Sequence, residues 1–133
     1  MLKRVEEFLN KNRDYFYAAF RILVGLMFVQ HGAQKLFGAL GGTQVQTMLS
    51  LFGVAGFIEF FGGLLITFGL FTRVAAFFGI ADMLGAWYIA HMPKGWIPIQ
   101  NGGELAALYF AAFLVILSQG TGKFGLDNLF KKS

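Results

Sequence analysis

Five ionisable side chains interrupt stretches of the chain that are otherwise apolar and rich in glycine: Arg21, His31, Glu59, Asp82 and Glu104. Carboxylates and imidazoles are groups that proteins use to move protons and to bind polar ligands. On insertion scales, an unpaired charge at the centre of a membrane helix costs roughly 2.5–3.5 kcal/mol. If the surrounding stretches lie in a membrane, these side chains need polar partners, and the partners mark a functional site.

The surrounding stretches have the composition of an integral membrane protein. The chain has 133 residues, of which 56% are hydrophobic and only 14% are charged, whereas a soluble domain carries about 25% charged residues. A helix needs about 20 apolar residues to cross the hydrocarbon core, and several blocks approach or reach that length. The sequence therefore predicts an all-α membrane protein, a single four-helix bundle with spans at residues 15–37, 48–71, 74–90 and 104–118.

The positions of the basic residues predict how the spans are oriented, because cytoplasmic loops carry an excess of Lys and Arg. Basic residues precede the first span, separate the second from the third and follow the fourth, which places both termini in the cytoplasm. We interpret residues 1–14 as an amphipathic helix on the membrane surface and residues 119–133 as a basic cytosolic tail. The net charge of +4 then reflects topology, and no nucleic-acid partner is expected. The basic residues assigned to the cytoplasm are Lys3, Arg4, Lys11, Arg13, Arg73, Lys123, Lys131 and Lys132.

Depth along the spans brings several polar groups together. At about 1.5 Å of rise per residue, four of them fall in the outer half of the bundle and a fifth lies in the adjoining loop: His31, Glu59, His91 and Glu104, and then Asn101. Ionisable residues inside a membrane are functional by default, which favours a ligand-binding or proton-relay site at His31 and Glu59. Glu104 has a second interpretation as the acidic first residue of span four, and His91 as a plain interfacial histidine.

Three other charged residues have more than one interpretation. Arg21 has two interpretations: it contacts a lipid phosphate, or it forms a buried ion pair. Lys35 is predicted to lie at the outer interface, with its ammonium group reaching water. We include both Arg21 and Lys35 among the candidate ligand-binding or proton-relay residues. Asp82 could pair with Arg21, pair with Arg73 or face a neighbouring subunit.

The residue types allow three kinds of ligand. A quinone or another flat hydrophobic molecule would suit the abundant Phe residues, with a carboxylate or His to exchange its proton. A metal ion would find suitable ligand types, but their spacing matches no diagnostic motif, so no metal ligand is assigned. Two histidines at similar depth also permit haem. The chain has no cysteine, which excludes disulfide exchange and thiolate metal sites within it.

Four motifs occur in order along residues 21–127. They are Arg-x3-Gly-x2-Phe-x2-His-Gly-x2-Lys-Leu-Phe-Gly from Arg21, Glu-x2-Gly-Gly-x6-Leu-x-Thr-Arg from Glu59, Asn-Gly-Gly-Glu from Asn101, and Gly-x-Gly followed by Leu-Asp from Gly120. Together they resemble the DoxX family of small bacterial membrane proteins, including its DoxD-type subunits. The resemblance implies a four-span protein of the bacterial inner membrane and places Arg21, His31, Glu59 and Glu104 at motif positions. Asp82 lies outside these motifs.

Some members of that family resemble subunits of quinone-linked oxidoreductases, and others accompany redox-stress or metal-handling systems. We therefore expect a membrane subunit of a redox system that is not catalytic alone, in which the outer polar cluster binds quinone or relays protons for a partner protein. The alternatives are a non-enzymatic transporter, channel or assembly scaffold, and a metal or haem carrier. The glycines of the second span also predict a homo-oligomer, most simply a dimer.

Overall fold

The computed structural model describes residues 1–131, and all regular structure in this range is helical. The predicted tail extends to Lys132 and Ser133, which lie outside the described residues. The α-helices are α1 (Leu2–Lys11), α2 (Arg13–Phe37), α3 (Leu51–Phe68), α4 (Thr72–Ala86), α5 (Pro98–Asn101) and α6 (Glu104–Gln119). A π-helical turn (Trp87–His91) and a 3-10 turn (Met92–Lys94) extend α4, and another 3-10 turn (Leu126–Phe130) follows α6. The prediction of an all-α fold is confirmed.

Three helices are long and apolar enough to cross a membrane by length and composition. They are α2, α3 and the continuous helical stretch Thr72–Lys94, with mean hydropathies of 1.3, 1.9 and 1.3. The fourth predicted span corresponds to α6, which is apolar but has only 16 residues. At 1.5 Å per residue it reaches about 24 Å, less than the roughly 30 Å of the hydrocarbon core. The prediction of four full spans is therefore met only in part.

Glycines let α2 and α3 approach so closely that their backbones touch. A Cβ added at Gly25 would lie 2.6 Å from the backbone nitrogen of Thr67, and one at Gly63 would lie 2.7 Å from that of Val29. Small residues are enriched where membrane helices pack closely. In this chain, α2 itself covers the glycine face of α3, which the sequence assigned to a second copy. The argument for a dimer from these glycines therefore fails, and the dimer stays a prediction.

A second helix pair, α4 and α6, completes the core. Gly79 on α4 makes room for the ring of Phe113, because an added Cβ would lie 2.8 Å from that ring. Phe113 also meets the ring of Phe28 edge-on, at 4.7 Å between centroids. Phe28, Phe113, Ile66 and Ile116 have no exposed surface. This apolar centre separates two polar regions, one at each end of the bundle.

Two connections differ from the sequence prediction. The two prolines and three glycines of residues 92–103 predict an irregular loop, yet this segment contains the 3-10 turn and the short helix α5. Pro98 fits there because the first position of a helix needs no backbone N–H donor. The predicted basic tail is not detached from the bundle: Thr121 is buried, and its hydroxyl donates to the carbonyl of Gly69 at 2.9 Å.

Candidate functional site

The centre of the candidate site is an ion pair between α2 and α3. The ammonium nitrogen of Lys35 lies 2.6 Å from Oε2 of Glu59. The Glu59 side chain is almost fully buried, whereas 28% of the Lys35 side chain is exposed. Gly56 permits the approach, since a Cβ there would come within 3.1 Å of the Lys35 Cβ. The sequence favoured an interfacial position for Lys35, and the structure instead directs its ammonium group inward to a carboxylate.

A second carboxyl group, that of Asp82 on α4, faces the same ion pair. Asp82 and Glu59 line the same cavity. The Oδ2 atom of Asp82 is buried and has no hydrogen-bond partner among residues 1–131. Neither arginine that the sequence proposed as a partner reaches it, because Arg21 and Arg73 bind backbone carbonyls at the opposite end of the bundle. We call Lys35, Glu59 and Asp82 the carboxyl cluster; it holds two carboxyl groups for one ammonium group.

The carboxyl cluster forms the floor of a cavity of about 420 Å³ between α3 and α4, which we call the lateral pocket. Most of its wall is apolar, with residues such as Ile58, Ala81 and Ile89, and His91 is its fourth polar residue. Small-molecule sites are typically cavities of about 300–1,000 Å³ with apolar walls and a few convergent polar groups. The lateral pocket has these properties.

A smaller cavity of about 220 Å³ lies beside Glu59 under the loop of residues 92–103, and we call it the loop-side cavity. Lys35, Glu59 and His91 line both cavities. The loop-side cavity adds His31 from α2 and Tyr109 from α6, whose rings meet edge-on at 5.7 Å between centroids. The Tyr109 hydroxyl is buried and has no hydrogen-bond partner in the described part of the chain.

Asn101 organises the loop that covers this cavity. It is 1% exposed, its side-chain amide donates to the Gly95 carbonyl at 2.9 Å, and its side-chain oxygen accepts from the Gly103 N–H at 2.7 Å. Its backbone carbonyl lies 3.3 Å from Nδ1 of His91. Asn101 therefore holds the loop and the His91 ring in place and does not itself line either cavity.

The remaining candidate from the loop region is not brought to the site. Glu104 is exposed in the first turn of α6 and lines neither cavity. Within residues 1–131 its side chain makes no hydrogen bond and no ion pair, so the structure places it as the acidic first residue of a helix. An acid in this position is favoured by the helix dipole.

Arg21 belongs to a different region, at the end of the bundle where α2 begins. It is 1% exposed, and Nε donates to the carbonyl of Ile66 at 3.0 Å, while the other guanidinium nitrogens donate to the carbonyls of Thr121, Thr67 and Phe124. We call this arrangement the arginine clamp. It is neither the lipid-phosphate contact nor the ion pair that the sequence suggested, because the acceptors are backbone carbonyls.

Comparison with known proteins decides which family this architecture represents. The DoxX family profile matches residues 16–92, more than half of the chain. The chain belongs to the DoxX family. An uncharacterized protein of Haemophilus influenzae is 42% identical over 93% of this chain and 97% of its own length. The inner membrane protein YqjF of Escherichia coli is 29% identical over 93% and 98%, and an uncharacterized membrane protein of Mycobacterium tuberculosis is 26% identical over 84% and 79%. No solved structure matches the chain.

The part of the chain that the DoxX profile matches carries the whole carboxyl cluster, together with His31 and His91. Tyr109 and Glu104 lie beyond it. With its apolar helices, this DoxX-family chain is a membrane protein, and its surroundings are a lipid bilayer.

Sequence reasoning did not assign two residues to this candidate site. Asp82 was noticed but had no assigned partner, although it lies one helical turn from Gly79, and a glycine so placed indicates a face that packs on a neighbour. Tyr109 was not considered, although a tyrosine hydroxyl within an apolar helix needs a partner just as a charge does.

The metal-carrier alternative lacks a donor set. Among the described residues, no three His, Asp or Glu side chains lie together in an arrangement that could hold a metal ion.

Proposed function

We propose that this protein is a multi-pass protein of the bacterial inner membrane and the membrane subunit of a redox system. In this proposal the lateral pocket binds the ring of a quinone or a related amphiphilic molecule, and the carboxyl cluster exchanges a proton with it. The observation that carries the proposal is an apolar cavity of about 420 Å³ whose polar floor is the carboxyl cluster. Both termini are assigned to the cytoplasm, with α6 as a short fourth span.

The polar groups of a quinone match the hydrogen-bond donors of the carboxyl cluster. A quinone ring is flat and apolar, and its two carbonyl oxygens accept hydrogen bonds. Lys35 offers N–H donors, and a carboxyl group that keeps its proton offers an O–H donor. Two carboxyl groups that line one mostly apolar cavity beside a single ammonium group do not both ionise at low cost. The buried pair is therefore suited to hold one proton beside the ligand.

The redox step requires a second protein. Reduction of a quinone to a quinol consumes two electrons and two protons, and oxidation of a quinol releases them. The carboxyl cluster gives or takes a proton at a ring oxygen. The chain has no cysteine that could supply electrons through a thiol, so we assign the electron transfer to a redox partner protein. The chain alone is then a binding and proton-exchange subunit, not a complete enzyme.

Direct binding of a water-soluble, short-chain quinone analogue to the detergent-purified protein tests this proposal. We expect saturable binding that falls about tenfold or more in Asp82→Asn and in Glu59→Gln, because a hydrogen bond to a charged group contributes about 1.5–3 kcal/mol. Glu104→Gln is the matched control, since Glu104 lies outside both cavities. Absence of saturable binding, or equal affinity in all three variants, would overturn the proposal.

A second candidate function is a pathway for a small polar solute. It is favoured by the two cavities that meet at Glu59. In this case Glu59→Gln would abolish solute flux in proteoliposomes, whereas the quinone analogue would not bind to the wild-type protein.

A further inference from the structure

The loop-side cavity contains polar groups that the quinone proposal leaves without a role. Tyr109 is only 5% exposed, and its buried hydroxyl has no hydrogen-bond partner in residues 1–131. A buried hydroxyl without a hydrogen bond destabilises a protein, which makes it a candidate to bind a water or a ligand. Tyr109 is one of the residues that line the loop-side cavity of about 220 Å³.

Water is the ligand that fits this cavity. A buried water needs about 30 Å³ of volume and two to four polar partners. His31, Tyr109 and Glu59 provide partners from three different helices, and His91 provides another beneath the loop. An empty cavity is expected only where the wall is apolar, and this wall is not.

We propose that the loop-side cavity is a hydrated vestibule through which the carboxyl cluster exchanges protons with the aqueous face on the side of the 92–103 loop. The protonated carboxyl gives its proton to a water held by Tyr109 and His31, and Lys35 stabilises the carboxylate that remains. The proton leaves beneath the loop that Asn101 holds. Because the lateral pocket and the vestibule share only Lys35, Glu59, Ala86 and His91 in their walls, ligand and proton use different routes.

This inference rests on the proposed function in one respect, that the carboxyl cluster carries an exchangeable proton. It adds the side of the membrane on which that proton is exchanged. It also gives Tyr109 a role as a positioning residue, since it binds the water and not the ligand.

Single-cysteine labelling tests whether the vestibule is wet, and the chain is suited to it because it has no native cysteine. Met83 lines the loop-side cavity and is buried, so Met83→Cys is the test variant. Ile66→Cys, in the apolar core and outside both cavities, is the buried control, and Leu108→Cys, 65% exposed on the surface of α6, is the lipid-facing control. The full-length protein in membrane vesicles is treated with a charged, water-soluble methanethiosulfonate.

We expect Met83→Cys to react at least about tenfold faster than either control, because only a thiol in contact with water ionises to the reactive thiolate. Equal, slow modification of all three would show that the cavity is dry and would overturn the inference. Ala106→Cys, at a buried residue that lines the same cavity, is the second test variant if Met83→Cys does not fold.

The role of Tyr109 is tested by hydrogen–deuterium exchange of the protonated carboxyl, followed by infrared spectroscopy. Tyr109→Phe keeps the ring and removes the hydroxyl, and we expect exchange to become several-fold slower while affinity for the quinone analogue stays unchanged. Unchanged exchange in Tyr109→Phe would overturn the role of Tyr109. If the vestibule is labelled but the quinone analogue does not bind, only the proposed function is overturned. If the vestibule is dry but the quinone analogue binds normally, only this inference is overturned.

Discussion

The two ends of the bundle bury charge in opposite ways. At one end, the arginine clamp places a guanidinium that is 1% exposed against four backbone carbonyls, so its donors have acceptors. At the other end, Glu59 is 4% exposed and paired with Lys35, but Asp82 adds a second carboxyl for which the described residues supply no further cation. A fully satisfied buried polar network makes a structure rigid, whereas a partly satisfied one needs an explanation.

The difference indicates which end is structural and which is functional. The arginine clamp joins α2, the end of α3 and the segment after α6 through four backbone carbonyls. The carboxyl cluster joins three helices as well, yet Oδ2 of Asp82 has no partner among the described residues, and residues of the cluster line two cavities. We therefore expect changes at the clamp to reduce stability and changes at the cluster to reduce binding.

The largest effect is expected from Arg21→Leu. This change leaves the carbonyls of Thr121, Thr67 and Phe124 without the donors that Arg21 supplies, and each buried unsatisfied acceptor costs about 1–3 kcal/mol. The free energy of unfolding should fall by at least about 3 kcal/mol, measured as loss of helical circular dichroism on heating in detergent.

Arg73→Leu is the matched control for the clamp. Arg73 also donates to two carbonyls, those of Leu117 and Ser118, but it is exposed, so water can replace it. A melting temperature of Arg21→Leu equal to that of Arg73→Leu would contradict the structural role of the clamp.

The helices could be predicted from the sequence because hydropathy and glycine spacing act locally. Arg21, Gly25, Phe28 and Gly32 recur every three or four residues, which indicates one helix face, and the structure buries all four. The relative rotation of neighbouring helices is not local, and two residues were misjudged for that reason. Glu104 has the predicted depth, but at 100° per residue it lies about 140° around α6 from Tyr109, on the far side from the core.

Asp82 is the second residue that was misjudged because the relative rotation of neighbouring helices is not local. Nothing in the sequence states which side of α4 faces α3. The C-terminal segment is another case in which distant contacts matter. Its glycines and lysines are typical of a solvated tail, whereas its attachment depends on two distant contacts, Thr121 to Gly69 and Asp127 to the start of α4.

The next largest effect is expected at the carboxyl cluster, and it should appear in binding rather than in stability. Asp82→Asn removes one of the two carboxyl groups of the carboxyl cluster and leaves Lys35 paired with Glu59. The melting temperature should therefore stay within a few degrees of the wild-type value, which corresponds to less than about 1 kcal/mol. Affinity for the quinone analogue should fall about tenfold or more. A large loss of stability with unchanged affinity would show that this end is structural, like the clamp.

A smaller loss of stability is expected from Asp127→Ala, at the clamp end. Both carboxylate oxygens of Asp127 accept backbone N–H bonds at the start of α4, from Phe71 at 2.7 Å and Thr72 at 3.0 Å. Loss of a helix N-terminal cap costs about 0.5–2 kcal/mol. Asp127→Asn is the control, because it keeps one oxygen acceptor but cannot ionise.

The same carboxylate predicts a pH dependence. Desolvation acts to raise the pKa of Asp127, but the hydrogen bonds from Thr72 and Phe71 and the nearby Arg21 charge outweigh it, and the pKa lies below its ordinary value. A lowered pKa contributes stability above the unfolded value of about 3.9, and that contribution is lost as pH falls through the folded pKa. The stability difference between wild type and Asp127→Asn should shrink at acid pH. A constant difference from neutral pH to about pH 2 would contradict this assignment.

The smallest effect is expected from Glu104→Gln. The sequence predicts Glu104 as a site residue, but its side chain lies outside the site. Its side chain is exposed and reaches neither cavity, so only its favourable interaction with the dipole of α6 is lost. That interaction is worth about 0.3–1 kcal/mol at an exposed helix start. Stability should change by no more than this, and the affinity for the quinone analogue should not change. A tenfold loss of binding in Glu104→Gln would mean that the loop of residues 92–103 rearranges to bring α6 into the site, and the boundary drawn between the carboxyl cluster and its surroundings would then be wrong.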